Sequence, residues 1–374
     1  MMIFFLLTFL VCGVYLALMI FYFIGWKNTS PETILIPGSN TQTRTKVSII
    51  LPVRNEEKNI QRILNHLSNQ DYEKNKYEIL VVDDFSEDRT SELVKSAGIS
   101  NLKIVSLTKN GGKKNAITEG IYHSKGELII TTDADCEMGE KWISTLVFFY
   151  EKQHPKMIVA PVLLKDETTF SEIMQSQEMT VLTASACASI YYETPILCSG
   201  ANLAYEKEAF LAVNGFEGVN KTATGDDVFL MLKIQKCFPG GIKYLRSKEA
   251  IVFTHPEPNY FSALRQRRRW ASKTFSYGFS HVTGVAILIF TMNFFILLSG
   301  ILSAINVKFV FALIMLLSLK CIVDLMLLQS ASSFFGKRIH YVFFLIASIL
   351  YPVYVTFVGV LSPITSYSWK GRKS

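Results

Sequence analysis

The stretch Leu128-Ile-Ile-Thr-Thr-Asp-Ala-Asp135 joins an apolar run, typical of a buried β-strand, to two acids one residue apart. Residues i and i+2 of an extended chain point to the same side, so Asp133 and Asp135 can converge on one point. In open α/β sheets, ligands bind in the crevice outside the carboxyl ends of the strands. Carboxylate oxygens suit Mg²⁺ or Mn²⁺, which often bridge to the phosphates of a substrate. The stretch therefore predicts a site for a divalent metal and a phosphate at a strand end.

Strand-like and helix-like segments alternate on the amino-terminal side of this stretch. Val47-Ser-Ile-Ile-Leu51 and Glu78-Ile-Leu-Val-Val82 are short apolar runs typical of buried parallel strands, and residues 103–107 predict a third. Apolar residues recur at helical spacing from Ile60 to Leu67, and Asn55 is the expected cap of that helix. The alternation predicts an α/β fold with a doubly wound, mostly parallel sheet.

Several classes of protein are excluded by motifs that the sequence lacks. No G-x-G-x-x-G follows the first strand and no G-x-x-x-x-G-K-[ST] occurs, so neither a dinucleotide-binding fold nor a P-loop NTPase is indicated. The six cysteines have no metal-ligand spacing, which favours reduced thiols over a disulfide framework. The net charge of +7 suits anionic headgroups and phosphate-bearing substrates. No motif for reading nucleic acid is present.

Four apolar runs are each long enough to cross roughly 30 Å of hydrocarbon. They are Ile3–Ile24, Val285–Ile305, Phe309–Leu328 and Tyr341–Leu361. The first run lacks a basic segment before it and exceeds a typical signal-peptide core, so an uncleaved anchor is expected. Lys27 and the many basic residues of the polar insert place that insert in the cytoplasm by the positive-inside rule. Lys320 and Asp324, spaced i, i+4 within the third run, are expected to pair with each other.

Two polar clusters of the amino-terminal half allow both a binding and a structural interpretation. Asp83 and Asp84 end the second strand, where acids can accept hydrogen bonds from a nucleobase or ribose. The alternative is a turn and helix cap built with Ser86 and Asp88. In Asn110-Gly-Gly-Lys-Lys114, glycines permit close backbone approach and Lys113 can meet a phosphate, but an exposed turn is equally compatible.

Two further clusters follow in the carboxyl-terminal half. Asp226 and Asp227 precede a helix-like run, where the helix dipole alone could favour carboxylates. Arg265-Gln-Arg-Arg-Arg-Trp270 lies just before the second apolar run and could be a juxtamembrane basic patch, to which Arg267 and Arg268 are assigned. In contrast, Gln266, Arg269 and Trp270 combine hydrogen-bond donors with an indole ring, which suits a diphosphate and a sugar ring.

In this order, the motifs resemble those of the membrane-bound, inverting family-2 glycosyltransferases, which include cellulose, chitin and hyaluronan synthases and ceramide glucosyltransferase. The resemblance covers residues 47–273 and rests on sequence elements that follow one another as in that family. They are Val47–Glu56, Asp83/Asp84, Gly112-Lys113, Asp133-Ala-Asp135, Ser199–Ala204, Gly225-Asp-Asp227 and Gln266-Arg-Arg-Arg-Trp270. Gly225-Asp226-Asp227 stands where the family often has Thr-Glu-Asp.

The resemblance implies a role for each candidate residue. Asp83, with Asp84, would hold the uridine, Lys113 would lie near the nucleotide, and Asp133 would face the donor sugar and ribose. Asp135 would bind Mg²⁺ or Mn²⁺ on the diphosphate. Asp227 would be the general base, with Asp226 supporting it. Gln266, Arg269 and Trp270 would close over the diphosphate and contact the acceptor end.

The resemblance also implies a domain organisation. A transmembrane anchor (1–26) and a linker (27–46) would precede a cytosolic catalytic domain of the GT-A type (47–257). An interfacial amphipathic segment (258–284), with Phe275, Tyr277 and Phe279 at the membrane surface, would lead to about three transmembrane helices (285–374). The protein would then be a multi-pass protein of the plasma or inner membrane.

The expected activity is inverting transfer of a hexose or N-acetylhexosamine from a UDP-sugar to a membrane-associated acceptor. A growing β-linked polysaccharide is one acceptor, and a lipid that receives a single sugar is the alternative. A non-catalytic membrane scaffold is the third hypothesis. A single displacement needs one base and a neutralised leaving group, unlike a glycosidase, which needs a flanking carboxyl pair. The need for an accessory subunit is left open.

Overall fold

The computed structural model describes residues 1–33, 44–107, 111–218, 226–273, 280–362, 368–369 and 372–373. These residues cluster into two units. The α/β unit comprises Thr29–Lys165 and Leu197–His255, and the helical unit comprises Met1–Asn28, Asp166–Ile196 and Pro256–Ser374. Asp166–Ile196, which lies inside the expected domain 47–257, thus belongs to the helical unit.

Twelve helices lie within the described residues. They are α1 (Met2–Asn28), α2 (Ile60–Ser68), α3 (Thr90–Ser96), α4 (Gly112–His123), α5 (Trp142–Gln153), α6 (Phe170–Tyr191), α7 (Lys207–Ala212), α8 (Asp226–Cys237), α9 (Tyr260–Ala271), α10 (His281–Ser303), α11 (Lys308–Phe335) and α12 (Tyr341–Leu361).

Twelve strands lie within the same described residues. They are β1 (Val47–Val53), β2 (Tyr77–Asp83), β3 (Leu102–Ser106), β4 (Leu128–Thr131), β5 (Glu137–Met138), β6 (Met157–Val159), β7 (Val162–Leu164), β8 (Leu203–Glu206), β9 (Ile242–Tyr244), β10 (Val252–Thr254), β11 (Ser368–Trp369) and β12 (Arg372–Lys373).

A seven-stranded sheet organises the α/β unit, in the order β3-β2-β1-β4-β8-β6-β9. Strands β3, β2, β1 and β4 are parallel, whereas β8 is antiparallel to β4 and β6. The predicted α/β class with a mostly parallel sheet is confirmed. Val53 of β1 is in register with Asp83, the last residue of β2, and β4 ends at Thr131 on the other side of β1. Asp83 and the acids after β4 therefore lie at the carboxyl ends of two parallel strands that flank β1.

Apolar strands and helix faces build the core of this unit. The side chains of Ile49, Leu51 and Ile79 are fully buried in the sheet, as continuous apolar runs of parallel strands require. The α2 helix contributes Ile63 and Leu67, which were predicted from helical spacing. The predicted cap is wrong, because α2 begins at Ile60 and the Asn55 carboxamide instead accepts a hydrogen bond from the Glu87 amide at 2.8 Å.

The helical unit contains four helices that are long and apolar enough to cross a membrane: α1, α10, α11 and α12. They coincide with the four apolar runs of the sequence. The shorter α6 begins with a capping box, in which Glu172 accepts backbone hydrogen bonds from Thr168 and Thr169. These bonds lower the pKa of Glu172 to about 2. The segment with Phe275, Tyr277 and Phe279, and residues 34–43 of the expected linker, lie outside the described residues.

Candidate functional site

The turn after β4 brings a lysine onto the first acid of the Asp-x-Asp pair. Lys113 lies in the first turn of α4, and its Nζ is 2.5 Å from Oδ1 of Asp133. Asp135 Oδ2 accepts a hydrogen bond from the Thr254 hydroxyl at 3.4 Å, at the end of β10. Strand β10 pairs with β5, which directly follows the Asp-x-Asp pair. The structure therefore surrounds the two acids with donors from distant parts of the chain.

Asp227 belongs to the same cluster. Its Oδ2 accepts a hydrogen bond from the Gly200 amide at 3.0 Å. A Cβ atom built on Gly200 would lie 3.6 Å from Lys113 Nζ and 3.8 Å from Asp227 Oδ2, so all three groups are neighbours. Asp226 lies beside it at the start of α8, with Oδ1 3.8 Å from Lys114 Nζ. Lys113, Gly200 and Asp227, which are far apart in the sequence, thus lie close together.

The segment that holds Gly200 is fixed by a fully buried amide. Asn202 Nδ2 donates to the carbonyl oxygens of Pro161 and Ala250, both at 2.8 Å, and its Oδ1 accepts from Trp142 Nε1 at 3.0 Å. Buried polar groups that are fully satisfied make a rigid local structure. Because Asn202 is only two residues from Gly200, this network positions the backbone amide that contacts Asp227.

Charge compensation is the main electrostatic feature of the cluster. Burial alone would lower the pKa of Lys113, but the carboxylates of Asp133, Asp227 and Asp226 raise it above its ordinary value. Burial raises the pKa of the Asp135 carboxyl, and the nearby charges of Asp133 and Glu56 add to this effect. Negative charge therefore exceeds positive charge around Asp135, which favours the arrival of a cation.

Asp83 and Asp84 both organise the loops at the strand ends. Asp83 accepts hydrogen bonds from the amide and hydroxyl of Ser86 at 3.1 and 2.6 Å, and from the Ser91 hydroxyl at 2.5 Å. Asp84 Oδ1 accepts from the amides of Gly111 and Gly112 at 3.2 and 3.3 Å. The turn interpretation of Asp83 is thus realised in the structure, and Asp84 ties β2 to the start of α4, which carries Lys113.

The carboxylates of the Asp-x-Asp pair are the candidate ligands for a divalent metal. Within the described ranges, no three or more His, Cys, Asp and Glu side chains are grouped at metal-ligand distances. Mg²⁺ is commonly held by only one or two carboxylates together with substrate phosphates, so this finding agrees with a shared site. The excess negative charge at Asp135 and the hard oxygen ligands of the Asp-x-Asp pair fit Mg²⁺ or Mn²⁺.

Gln266 and Trp270 lie on α9 in the helical unit, where both contact Arg267. Gln266 Nε2 donates to Glu257 Oε1 at 3.0 Å, and its Oε1 accepts from Arg267 at 2.6 Å. The Arg267 guanidinium lies 4.2 Å from the centre of the Trp270 ring. Arg267 is buried and paired with Glu178 of α6 at 2.7 Å, so its assignment to an exposed basic patch is wrong. Arg269 is on the same helix, directly before Trp270.

Three residues that interact with candidate site residues or with Arg267 were given no individual role by the sequence analysis. Glu178 is 89 residues from Arg267, and nothing in the local sequence of α6 marks it. Thr254 is 119 residues from Asp135 and ends a three-residue strand. The charge of Glu56 acts on Asp135. The position of Glu56 shortly after the first strand could have indicated a place at the site, because ligands bind at the carboxyl edge of the sheet.

Together, the fold and the cluster define an α/β domain of the GT-A type, in a chain that also has four candidate membrane helices. The family described as Glycosyl transferase family 2 matches residues 48–213, from β1 to just beyond α7. Residues 48–213 therefore form a family-2 glycosyltransferase domain.

Curated relatives agree with this assignment. The glycosyltransferase AglE of Haloferax volcanii is 40% identical over 105 residues, which are 28% of this chain and 34% of that protein. A dolichyl N-acetyl-α-D-glucosaminyl phosphate 3-β-D-2,3-diacetamido-2,3-dideoxy-β-D-glucuronosyltransferase of Methanococcus voltae is 32% identical over 174 residues, 44% of this chain and 50% of that protein. The chain thus matches between a third and a half of the length of these relatives.

Among solved structures, mannosyltransferase PcManGT from Pyrobaculum calidifontis, in complex with GDP-Man and Mn²⁺, resembles the chain along its length. The similarity covers 96% of this chain and 97% of that one, with a TM-score of 0.60. The sequence identity is 17%, so the comparison supports the fold and nothing further.

Proposed function

We propose that the protein is an inverting glycosyltransferase that moves a hexose or N-acetylhexosamine from a UDP-sugar to a membrane-associated acceptor. The observation that carries this proposal is the cluster of Asp133, Lys113, Gly200 and Asp227 within a family-2 domain. Asp-x-Asp pairs at strand ends are common by themselves. Here a lysine and a third carboxylate from distant segments of the chain join the pair, which indicates a site and not only a turn.

Asp227 is proposed as the general base. As the acceptor hydroxyl attacks the anomeric carbon, its proton passes to a carboxylate oxygen of Asp227, and the bond to the nucleotide diphosphate breaks. The amide of Gly200 orients that carboxylate by its hydrogen bond to Oδ2. One base and one departing group give a single displacement, which inverts the configuration. Asp226, in contact with Lys114, supports the position of Asp227.

The donor is proposed to bind along the strand ends. Asp83 and Asp84 would hold the uridine and ribose, and Asp133 would face the ribose and the sugar. Lys113 Nζ pairs with Asp133 Oδ1 at 2.5 Å and lies near Asp227, so it places a positive charge beside both carboxylates. Asp135 would hold a divalent ion. Such an ion, when bound, neutralises charge on the diphosphate without a proton.

Gln266, Arg269 and Trp270 are proposed to bind the diphosphate and the acceptor end. An arginine is suited to a diphosphate by its forked donors, and an indole ring is suited to the apolar face of a sugar. This part of the proposal rests on the order of the motifs in the sequence.

A lipid-linked acceptor is favoured over a growing polysaccharide. The Methanococcus voltae relative is described as acting on a dolichyl phosphate sugar, which supports a lipid carrier. Among the described residues, the candidate membrane helices number four, and so few helices enclose a polymer channel poorly. We place the protein in the plasma or inner membrane, with its α/β unit in the cytoplasm.

The proposal is tested by nucleotide release from purified protein. A panel of UDP-sugars and GDP-mannose is incubated with Mn²⁺ or Mg²⁺, with and without a membrane lipid extract, and the released nucleotide diphosphate is measured. We expect release with one UDP-sugar, stimulated by the lipid extract and abolished by chelation. The product should be a single-sugar lipid by mass spectrometry.

The outcomes separate the hypotheses. A product ladder of increasing length would identify a polysaccharide synthase. No release with any donor, from protein that binds no nucleotide diphosphate, would favour the membrane scaffold. The gathered acids argue against a scaffold, because clustered carboxylates are costly to keep without a ligand.

A further inference from the structure

Arg267 contacts both of the neighbouring side chains to which the family motif assigns a substrate role. It donates a hydrogen bond to Gln266 Oε1 at 2.6 Å, and its guanidinium lies on the Trp270 ring at 4.2 Å. Stacking on an aromatic face and fixed donor geometry are properties of arginine that lysine lacks. A single guanidinium therefore sets the orientation of two side chains on successive turns of α9.

Glu178 of α6 in turn holds Arg267. Its Oε2 accepts hydrogen bonds from Nε and Nη2 of Arg267 at 2.9 and 2.7 Å. Its other oxygen accepts from the Tyr351 hydroxyl of α12 at 2.9 Å. Arg267 is 7% exposed and the side chain of Glu178 is 19% exposed, so the pair is largely shielded from water. Burial alone would lower the pKa of Arg267, but the Glu178 carboxylate raises it, which keeps the guanidinium charged.

The Gln266 carboxamide is also held through Glu257. Its Nε2 donates a hydrogen bond to Glu257 Oε1. The Gln175 carboxamide donates to the Glu257 carbonyl oxygen and accepts from the Glu257 amide, both at 3.0 Å. Gln175 and Glu178 lie on the same helix, one turn apart. Two polar residues of α6 thus fix the amide of Gln266, one through Glu257 and the other through Arg267.

We propose that Glu178 is a positioning residue: through Arg267 it orients Gln266 and Trp270 for nucleotide-diphosphate and acceptor binding. This inference rests on the proposed function of those two side chains. It assigns Arg267 a role other than charge at a membrane surface. A purely structural ion pair would stabilise the fold without affecting ligand affinity, and that difference can be measured.

The test compares the variants Glu178→Gln and Glu178→Gln/Arg267→Met in detergent-purified full-length protein. Breaking a buried pair on one side is strongly destabilising, whereas replacing both charges is often neutral. We expect the melting temperature to fall in the single variant and to recover in the double variant. Affinity for UDP in the presence of Mn²⁺ should stay at least ~5-fold lower in both, a loss equivalent to about 1 kcal/mol. The single variant loses the carboxylate that holds Arg267 in place, and the double variant loses Arg267 itself.

The matched control is Glu167→Gln, which breaks another ion pair of the helical unit. Glu167 pairs with Lys337 at 2.5 Å and accepts a hydrogen bond from Ser176. UDP affinity should match that of the wild type in this variant. Full UDP affinity in the stable double variant would overturn the inference and leave the proposed function intact.

A second measurement covers the case in which the wild type binds neither UDP nor GDP, so that the proposed function fails. Amide hydrogen exchange of α9 should then be faster in the double variant than in the wild type, and unchanged in the Glu167→Gln protein. Equal exchange of α9 in the double variant and the wild type would refute a positioning role for Glu178.

Discussion

Lys113 demonstrates how much one side chain depends on its surroundings. In sequence, Gly111-Gly112-Lys113 is as compatible with an exposed turn as with a ligand site. In the structure, its Nζ is 2.5 Å from Asp133 and adjoins Asp227. The positive charge of Lys113 therefore lies beside two carboxylates that are far apart in the sequence, one proposed to face the donor and the other proposed as the base.

The first residue-scale prediction concerns Asp227. Asp227→Asn retains the shape and can still accept the hydrogen bond from Gly200, but it cannot take a proton. We expect kcat to fall by roughly 10²–10⁴-fold, the usual contribution of a general base, with UDP binding little changed. The measurement is UDP release at saturating donor. Asp71→Asn, at an exposed acid of the same unit, is the control and should retain full activity. Wild-type turnover in Asp227→Asn would remove Asp227 as the base.

The second prediction concerns Glu137, whose carboxylate is surrounded by basic groups. Lys165 lies at 2.5 Å, Arg62 at 3.3 Å, and His66 and His255 at 3.5 Å. Burial would raise the pKa of Glu137, but Lys165, Arg62 and His66 together lower it below its ordinary value. A depressed pKa adds stability above the unfolded value of about 4.3 and loses it as the pH falls through the folded value.

Glu137→Gln should therefore lower the melting temperature at pH 7 and leave a smaller further decrease between pH 5 and pH 3 than in the wild type. Thermal unfolding in detergent over this range is the measurement. Glu119→Gln, at an acid with a side chain 44% exposed, should follow the wild-type curve. Parallel wild-type and Glu137→Gln curves would contradict the electrostatic account.

At the scale of elements, the membrane-type helices are joined by polar contacts inside apolar surfaces. Lys320 and Asp324 of α11 form the predicted i, i+4 pair, and Asp324 also accepts a hydrogen bond from the Tyr15 hydroxyl of α1 at 2.6 Å. The Trp26 indole of α1 donates to Ser330 of α11 at 3.1 Å. These bonds specify which faces of α1 and α11 meet, since apolar packing alone has little directionality.

The third prediction follows from this pairing. Asp324→Leu leaves Lys320 charged and 5% exposed without its carboxylate, which should cost about 3–5 kcal/mol of stability. Lys320→Met/Asp324→Leu removes both charges and should restore most of that loss. Thermal unfolding monitored by size-exclusion chromatography in detergent would measure both. An Asp324→Leu protein as stable as the wild type would show that the pair does not join the helices energetically.

At the scale of the whole molecule, a polar α/β unit is inserted into a chain of apolar helices. The basic residues after the first apolar run predict that this unit lies in the cytoplasm. Cys237, at the end of α8, is a natural reporter, because it is the exposed cysteine of the six and the others are buried or half-buried.

The fourth prediction uses that thiol. A membrane-impermeant maleimide should label the protein in inside-out vesicles and fail to label it in intact cells. Cys237→Ser should abolish the labelling of vesicles, which controls for reaction at Cys321. Labelling in intact cells that disappears in Cys237→Ser would place the α/β unit outside and overturn the assignment from charge.

Local sequence patterns were sufficient to predict the strands and helices that are determined by residues close together in the chain. Continuous apolar runs predicted β1, β2 and β3, and long apolar runs predicted all four membrane-type helices. The helix with Ile63 and Leu67 was recognised by its period. The start of this helix was predicted wrongly, because the Asn55 side chain accepts a hydrogen bond from the amide of Glu87, a residue of another loop. The inclusion of α6 with the helical unit was also missed, since its sequence is of mixed polarity.

The sequence by itself determined the α/β class, the membrane-type helices, and the acids and lysine that could form a site, because burial and strand or helix period are encoded locally. Only the tertiary structure decided that Lys113, Asp133, Gly200 and Asp227 meet, and that Glu178 holds Arg267 against Trp270. Those contacts join residues tens to more than a hundred positions apart. Their formation depends on strand order, register and helix packing, which no local pattern specifies.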